Sequence, residues 1–397
     1  SEDIESIQDQ KGHGISLSMN YDLETVELVS ISGYRRYTSA ITENRDKSAY
    51  PILDTFAQDY KTNSYSQELR INSTSDGPLG WTLGLFGFKD TRELGMLTTA
   101  LPPARAGVFA AGPGLPIFAT ELQETTKITS TSYAVFGQGI YEISEKLTFT
   151  VGARYSWESR DIELTSSCDS YNCPVFVFGP GGFSGIPSGL PPQLQADSSS
   201  EEIFTPLMTL SYKPSADILT YITATRGYKS GGYAPVFTFS VRPFESESLW
   251  NYEVGAKTSW LDNRLTVNLS AFYMDWRDIQ INSFTNTAGF VIQNAAKVIN
   301  QGIELEVSAT LTDNLQIGGS YGYLDSHYDT TIDVDTSLVL DNTRAFTPKH
   351  SVNLHIDYFQ SLNSEWDVRA RMDYNYKGNI LYRADNVTGL GDNRQIS

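Results

Sequence analysis

Apolar residues recur at every second position along much of this chain, in runs too long for an ordinary sheet and too polar on one face for a buried one. The run from Lys146 to Glu158 shows the pattern most plainly. Leu147, Phe149, Val151, Ala153, Tyr155 and Trp157 fall on one side, and Lys146, Thr148, Thr150, Gly152, Arg154, Ser156 and Glu158 on the other, because successive strand side chains point to opposite faces. Ile303, Leu305, Val307, Ala309 and Leu311 repeat the row against Glu304, Glu306, Ser308 and Thr310. Near the end, Trp366, Val368, Ala370, Met372, Tyr374 and Tyr376 oppose Asp367, Arg369, Arg371, Asp373 and Asn375. Alternation by itself suits a soluble sandwich, whose apolar face meets a second sheet. It equally suits an outer-membrane barrel, whose apolar face meets lipid and whose polar face meets a wet interior.

Loop rhythm separates the two. The periodicity predicts about fourteen strands, including stretches near Ser64 to Ser73, Ile218 to Lys229 and Leu265 to Asn282. Tight turns such as AspGlyProLeuGly (76 to 80), LysProSerAlaAsp (213 to 217) and LeuAspAsnArg (261 to 264) alternate with long connections. The longest of these covers roughly 166 to 200 and is rich in Ser, Gly and Pro. Short turns on one rim and long loops on the other are the habit of an outer-membrane barrel, and a sandwich has no reason to keep that parity. The Tyr and Trp ending the row at Tyr155 and Trp157 mark where a strand leaves hydrocarbon for headgroups.

The stretch from Tyr221 to Thr310 resembles the TonB-dependent receptors of the bacterial outer membrane. The likeness rests on ArgGlyTyrLysSerGlyGlyTyr (226 to 233), the spacing of Glu253, Gly255 and Lys257, AlaPheTyrMetAspTrpArgAspIleGln (271 to 280) and AsnAlaAlaLysValIleAsnGlnGlyIleGluLeuGlu (294 to 306). Weaker echoes are SerGlnGluLeuArgIle (66 to 71), TrpThrLeuGlyLeuPheGlyPhe (81 to 88) and PheThrProLysHisSer (346 to 351), so the ordered set extends over nearly the whole chain. The resemblance implies an all-β, antiparallel transmembrane β-barrel of about twenty-two strands, of which residues 1–397 carry about fourteen. The plug domain, about five earlier strands and about three later ones are then expected outside this sequence. It further implies a TonB-type energy-coupling partner acting through the plug, and uptake of a scarce large nutrient such as a ferric siderophore, a cobalamin-like compound or an oligosaccharide. The expected location is the outer membrane of a Gram-negative bacterium, with outer-membrane lipid as the surrounding partner.

Composition narrows the alternatives. Charged residues are 19% of the chain and aromatic residues 12%, with 23 Tyr, a mix suited to many side chains at a lipid boundary. A net charge of −18 argues against nucleic acid, whose backbone needs clustered Lys and Arg. No apolar run is long enough for a transmembrane helix, and the acidic start SerGluAspIleGluSer is not a signal peptide. Cys168 and Cys173, the only two cysteines, lie in the longest loop. In an exported protein they read as a small disulfide ring, ahead of two free thiols or a metal-ligand pair, because the loop offers no further ligands.

Catalytic and cofactor signatures are missing. His13, His327, His350 and His355 have no metal spacing, and neither a GlyXXXXGlyLys loop nor a GlyXSerXGly elbow occurs. The glycines of GlyTyrLysSerGlyGly are expected to bend a strand into an outer loop. Arg154, Arg369 and Arg371, on polar faces, are expected to pair within the lumen, or else to meet an anionic ligand or a plug. Phe176, Phe178 and Phe183, in the longest loop, pack that loop or stack on a ligand. The leading reading is therefore an energy-coupled receptor with no enzymatic role. Its rivals are a passive porin, an outer-membrane hydrolase and a soluble adhesin-like β protein.

Overall fold

The computed structural model describes residues 6–43, 55–99, 121–168, 177–179, 182–184, 193–236, 240–285, 289–294, 297–329, 344 and 346–380. Fourteen strands form one antiparallel sheet in chain order: β1 (Ile7–Asp22), β2 (Val26–Glu43), β3 (Thr55–Ser73), β4 (Leu79–Thr99), β5 (Glu121–Ser144), β6 (Leu147–Cys168), β9 (Gln193–Ser215), β10 (Ile218–Lys229), β13 (Glu247–Trp260), β14 (Leu265–Arg277), β17 (Val298–Thr312), β18 (Leu315–Tyr328), β19 (His350–Ser361) and β20 (Asp367–Lys377). The intervening strands are three small hairpins on the long connections: β7 (Val177–Gly179) with β8 (Gly182–Ser184), β11 (Gly232–Val236) with β12 (Ser240–Phe244), and β15 (Gln280–Thr285) with β16 (Gly289–Asn294). Every neighbouring pair in the large sheet is joined directly along the chain, with short turns and long connections in strict alternation.

The register puts the predicted rows on one continuous face. Leu147 and Phe149 of β6 pair with Tyr212 and Leu210 of β9, and Leu210 pairs with Ile222 of β10. Ile222 in turn pairs with Val254, Val254 with Ala271, and Ala271 with Ile303. No second layer covers this face among the described residues. Val151 is 41% exposed, Trp157 44%, Ile303 46% and Met372 66%. An apolar surface so broad and so uncovered is stable only in hydrocarbon.

Aromatic rings mark both edges of that surface. Trp260 and Trp366 stand beside short turns, while Tyr155 packs on Trp157 at 4.7 Å and Trp250 on Tyr252 at 5.9 Å toward the opposite rim. Roughly ten residues separate each short turn from the far ring, enough for a tilted strand to cross a band about 25 Å tall. The strands continue well past it. β3 begins at Thr55 rather than near Ser64, and β9 begins at Gln193, ten residues before the alternation starts. Beyond the band both faces are wet, so sheet hydrogen bonding persists where hydrophobic periodicity no longer marks it. β10, which lies almost wholly within the band, matches its expected limits of Ile218 and Lys229.

One strand ends sooner than its pattern suggested. The stretch expected to run from Leu265 to Asn282 stops at Arg277, because Asp278 takes a left-handed φ of 55° that breaks the extended backbone. Ile279 then turns inward to meet Val298 and Tyr328, and the chain restarts as β15. The tight turn after β13 is also left-handed, with φ of 57°, 54° and 64° at Leu261, Asp262 and Asn263. Three such residues in a row are costly for L side chains. Arg264 offsets the strain by donating from Nε to Thr310 O at 3.1 Å and from Nη2 to Leu311 O at 2.8 Å, which ties the turn to β17.

Two substitutions at adjacent positions test the orientation. Val151→Arg places a cation in hydrocarbon and is expected to cost about 2–4 kcal/mol, whereas Thr150→Arg on the wet face is expected to cost well under half of that. Urea unfolding of the two variants in lipid vesicles, followed by Trp fluorescence, measures the difference.

Candidate functional site: the lumen wall and outer mouth

The polar faces of β10, β13, β14, β17 and β18 line a hollow of about 460 Å³. Glu253, Lys257, Glu304 and Glu306 bring charge to it, Tyr221 donates its hydroxyl to Glu253 at 2.6 Å, and Asn268 donates to Glu306 at 3.2 Å. The spacing of Glu253, Gly255 and Lys257 has a steric reason. A Cβ on Gly255 would lie 2.5 Å from Tyr221 Cζ, so only glycine lets the ring lie flat across the strand and reach the carboxylate. Phe136 lies in the same way over Gly84, where a Cβ would sit 2.1 Å from its Cζ.

Asp90, on the polar face of β4, is 3% exposed. It accepts from Ser64 Oγ at 2.6 Å, Thr62 Oγ1 at 2.9 Å and Arg92 Nε at 2.5 Å, so the buried charge is fully solvated by the protein. Arg154 lies 4.9 Å from the Phe86 ring and 5.8 Å from the Phe136 ring, and its Nε donates to Ser156 Oγ at 3.1 Å. The expected lumen pairing is thus a cation–π stack in place of an ion pair. Arg371 does pair with carboxylates, with Asp357 at 3.0 Å and Asp373 at 2.8 Å, while Arg369 lies over Phe359 at 5.2 Å.

Toward the upper edge of the membrane band the wall parts. Backbone pairing between β9 and β10 ends at Leu207 and Thr225, next to Pro206, which has no amide hydrogen to give. Side chains carry the contact from there. Arg160 of β6 donates from Nη2 to Ser230 Oγ at 2.5 Å and from Nη1 to the Gly231 carbonyl, and it pairs with Glu158 and Glu201 at 3.4 Å. Tyr228 donates to Glu158 at 2.5 Å, and Gly231 N donates to Glu201 at 3.2 Å. Gln280 extends the network, donating from Nε2 to Ser230 O at 2.9 Å and from its backbone N to Glu247 Oε2 at 2.6 Å. The segment from Arg226 to Tyr233 is therefore a clasp that fastens the β11–β12 and β15–β16 hairpins to the wall. Gly231 serves a close approach of backbones: a Cβ there would lie 2.5 Å from Phe244 O. Arg160, the centre of the clasp, has no signature in the sequence, because the segment it fastens, at Ser230 and Gly231, lies 70 or more residues away.

Higher still, Ile162 is 1% exposed and Leu164 4%, with Glu124 buried beside them on the inner face. Glu124 Oε1 has no hydrogen-bond partner among the described residues, and burial pushes its carboxyl up to about 7.

The histidines are scattered. His350 Nδ1 lies 3.0 Å from the Tyr321 hydroxyl in the outer aromatic ring, His327 lies 3.5 Å from Asp325, and His355 lies 3.9 Å from Asp357. Among the described residues, no group of three or more His, Cys, Asp or Glu side chains is arranged to hold a metal. Cys173 and Phe176 lie outside the described residues, as do the side chains of Cys168, Phe178 and Phe183.

A TonB-dependent receptor-like β-barrel family model matches residues 3–394. The chain belongs to that family. Among characterised relatives of this receptor-like barrel, the metal-pseudopaline receptor CntO of Pseudomonas aeruginosa is 26% identical over 161 residues, 40% of this chain and 22% of that protein. The ferric-pyoverdine receptor PbuA of a Pseudomonas strain is 24% identical over 273 residues, 65% of this chain and 29% of that protein. The aligned stretches cover less than a third of the length of these relatives. Among solved structures, the ferric yersiniabactin uptake receptor FyuA of Yersinia pestis superposes with a TM-score of 0.74 at 18% identity, covering 96% of this chain and 51% of that one. The siderophore receptor PiuA of Acinetobacter baumannii gives 0.64 at 16% identity, with 96% and 56% covered. At these identities the likeness is one of fold.

Two measurements probe the site. Arg160→Ala removes charge-assisted bonds worth roughly 1.5–3 kcal/mol each, and amide hydrogen exchange is expected to quicken across 228–236 while the band stays protected. For Glu124, the folded chain holds the proton more tightly than the unfolded chain, so its stabilisation is complete in acid and fades as pH rises through about 7. Exchange protection of residues 122–128 should fall between about pH 4.5 and 7, level off above that, and stay level throughout in Glu124→Gln.

Proposed function

We propose that this chain is the greater part of the barrel of an outer-membrane receptor that imports a scarce, large nutrient by active transport, with a chelated metal such as a ferric siderophore as the favoured cargo. In this reading the outer segments capture the ligand. A plug, encoded outside this sequence, closes the lumen. A TonB-type partner, driven by the proton-motive force of the inner membrane, moves the plug. The Cys168–Cys173 disulfide would close a small ring in the longest outer loop.

The observation that carries the reading is the pairing of an uncovered apolar outer face with a lumen wall rich in Glu253, Glu304 and Glu306. That pairing fits a membrane barrel with a wet interior, and a lumen that must grip and release a folded domain benefits from polar, hydrated contacts. The favoured cargo rests on the names of the related receptors, which include metal-chelate and siderophore uptake proteins.

Cells lacking the gene, grown under iron restriction and given radiolabelled ferric siderophores one at a time, test the reading. Uptake of at least one should fall to background and return with the full-length gene, and a protonophore should abolish it. Uptake that survives the protonophore, or a wide constitutive pore in planar-bilayer recordings, would favour a passive channel.

A further inference from the structure

On the lipid-facing side the sheet carries an apolar groove of about 480 Å³. Its floor is made of Ala224 and Ala271, and its walls of Met208, Ile222, Tyr252 and Tyr273. The register explains the depression: Met208, Ala224, Tyr252 and Tyr273 form one transverse row, and Ile222, Val254 and Ala271 form the row below. Two alanines between larger neighbours leave a slot about as wide as a hydrocarbon chain.

Arg226 stands two residues above Ala224 on the same face of β10, level with Trp250 and Asp275 on the next two strands. Its Nη1 makes one long bond, 3.4 Å to Phe204 O, and its Nε is buried without a hydrogen-bond partner among the described residues. No carboxylate lies within ion-pair distance of it among those residues, although Asp275 is taken by Arg277 at 3.0 Å and by Lys297 at 3.7 Å. A guanidinium left without a counter-charge at the edge of hydrocarbon is costly unless something anionic meets it. The groove ends at the outer aromatic ring, so the anion must arrive at headgroup height with an acyl chain below it.

We propose that this is a lipid site: an acyl chain lies in the groove over Ala224 and Ala271, and a phosphate of the same molecule is held by Arg226, with Arg277 at its flank. Because the site faces the leaflet on the long-loop side, its occupant is the phosphorylated glycolipid of the outer leaflet. The inference rests on the outer-membrane reading but not on the transport reading.

Native mass spectrometry of the full-length protein in detergent tests it, with bis-phosphorylated lipid A and dephosphorylated lipid A as probes and heat-modifiable gel migration to confirm folding. The phosphorylated lipid should be retained roughly tenfold better than the dephosphorylated one. Arg226→Gln should erase that preference, Arg226→Lys should restore part of it, and Ala224→Trp should displace both lipids by filling the slot. Equal retention of the two lipids by the native protein, an unchanged preference in Arg226→Gln, or undiminished binding to Ala224→Trp would each overturn the proposal. Because siderophore uptake is not the readout, a negative result here leaves the transport reading to its own experiment.

Discussion

The fold depends on a solvent boundary that runs through every strand. One face of the sheet is mostly apolar over about ten residues of its strands and meets no second protein layer among the described residues. In water such a sheet would have to fold against a second layer or aggregate. In a bilayer it needs neither, and between neighbouring strands from β1 to β20 the backbone amides and carbonyls are satisfied by the ladder, save along the outer edges of those two. Height along a strand then decides what a side chain can be. Within the band the outer positions are mostly aliphatic, with Ser30, Ser32 and Gln67 hydrogen-bonded to one another, and aromatic rings stand at its two edges. Above it, charges and buried apolar residues share the inner face.

That zoning gives the inner face its architecture. Where lipid confines the sheet on one side, bulky side chains on the other must lie flat, and glycines across the strand make room for them. Tyr221 over Gly255 and Phe136 over Gly84 are the two plainest cases. In the first the ring also delivers a hydroxyl to Glu253, so a packing solution sets the position of a charge in the lumen. Toward the upper edge of the band the β9–β10 ladder lapses at Leu207 and Thr225. Arg160 then does with five donors what the backbone does below.

The legible part of this protein is the part that the bilayer constrains. Alternation from Leu147 to Trp157 and from Ile303 to Leu311 located strands and faces because lipid permits only one residue class there. The limits of β10 could be read almost to the residue, since it barely leaves the band. The outer halves of β3 and β9 were invisible for the converse reason: with water on both sides, a run such as GlnLeuGlnAlaAspSerSerSer (193 to 200) carries no period. The break at Asp278 depends on one residue's φ, and Arg160 on partners distant in sequence, so neither leaves a local trace. The segment from Arg226 to Tyr233 carries a family likeness but no local pattern that gives its physical role. Its role as a clasp follows only from the hydrogen bonds of Tyr228, Ser230 and Gly231.

The most direct measurement is a spin-label scan. With Cys168 and Cys173 replaced by serine, single cysteines from Ile218 to Lys229 are labelled in lipid vesicles, and collision with oxygen is compared with collision with a water-soluble nickel chelate. Oxygen prefers hydrocarbon and the chelate prefers water, so the account predicts opposite period-two oscillations, with labels at 220, 222 and 224 favouring oxygen and those at 221, 223 and 225 favouring the chelate. Equal accessibility at adjacent positions, or chelate access to both faces, would contradict it.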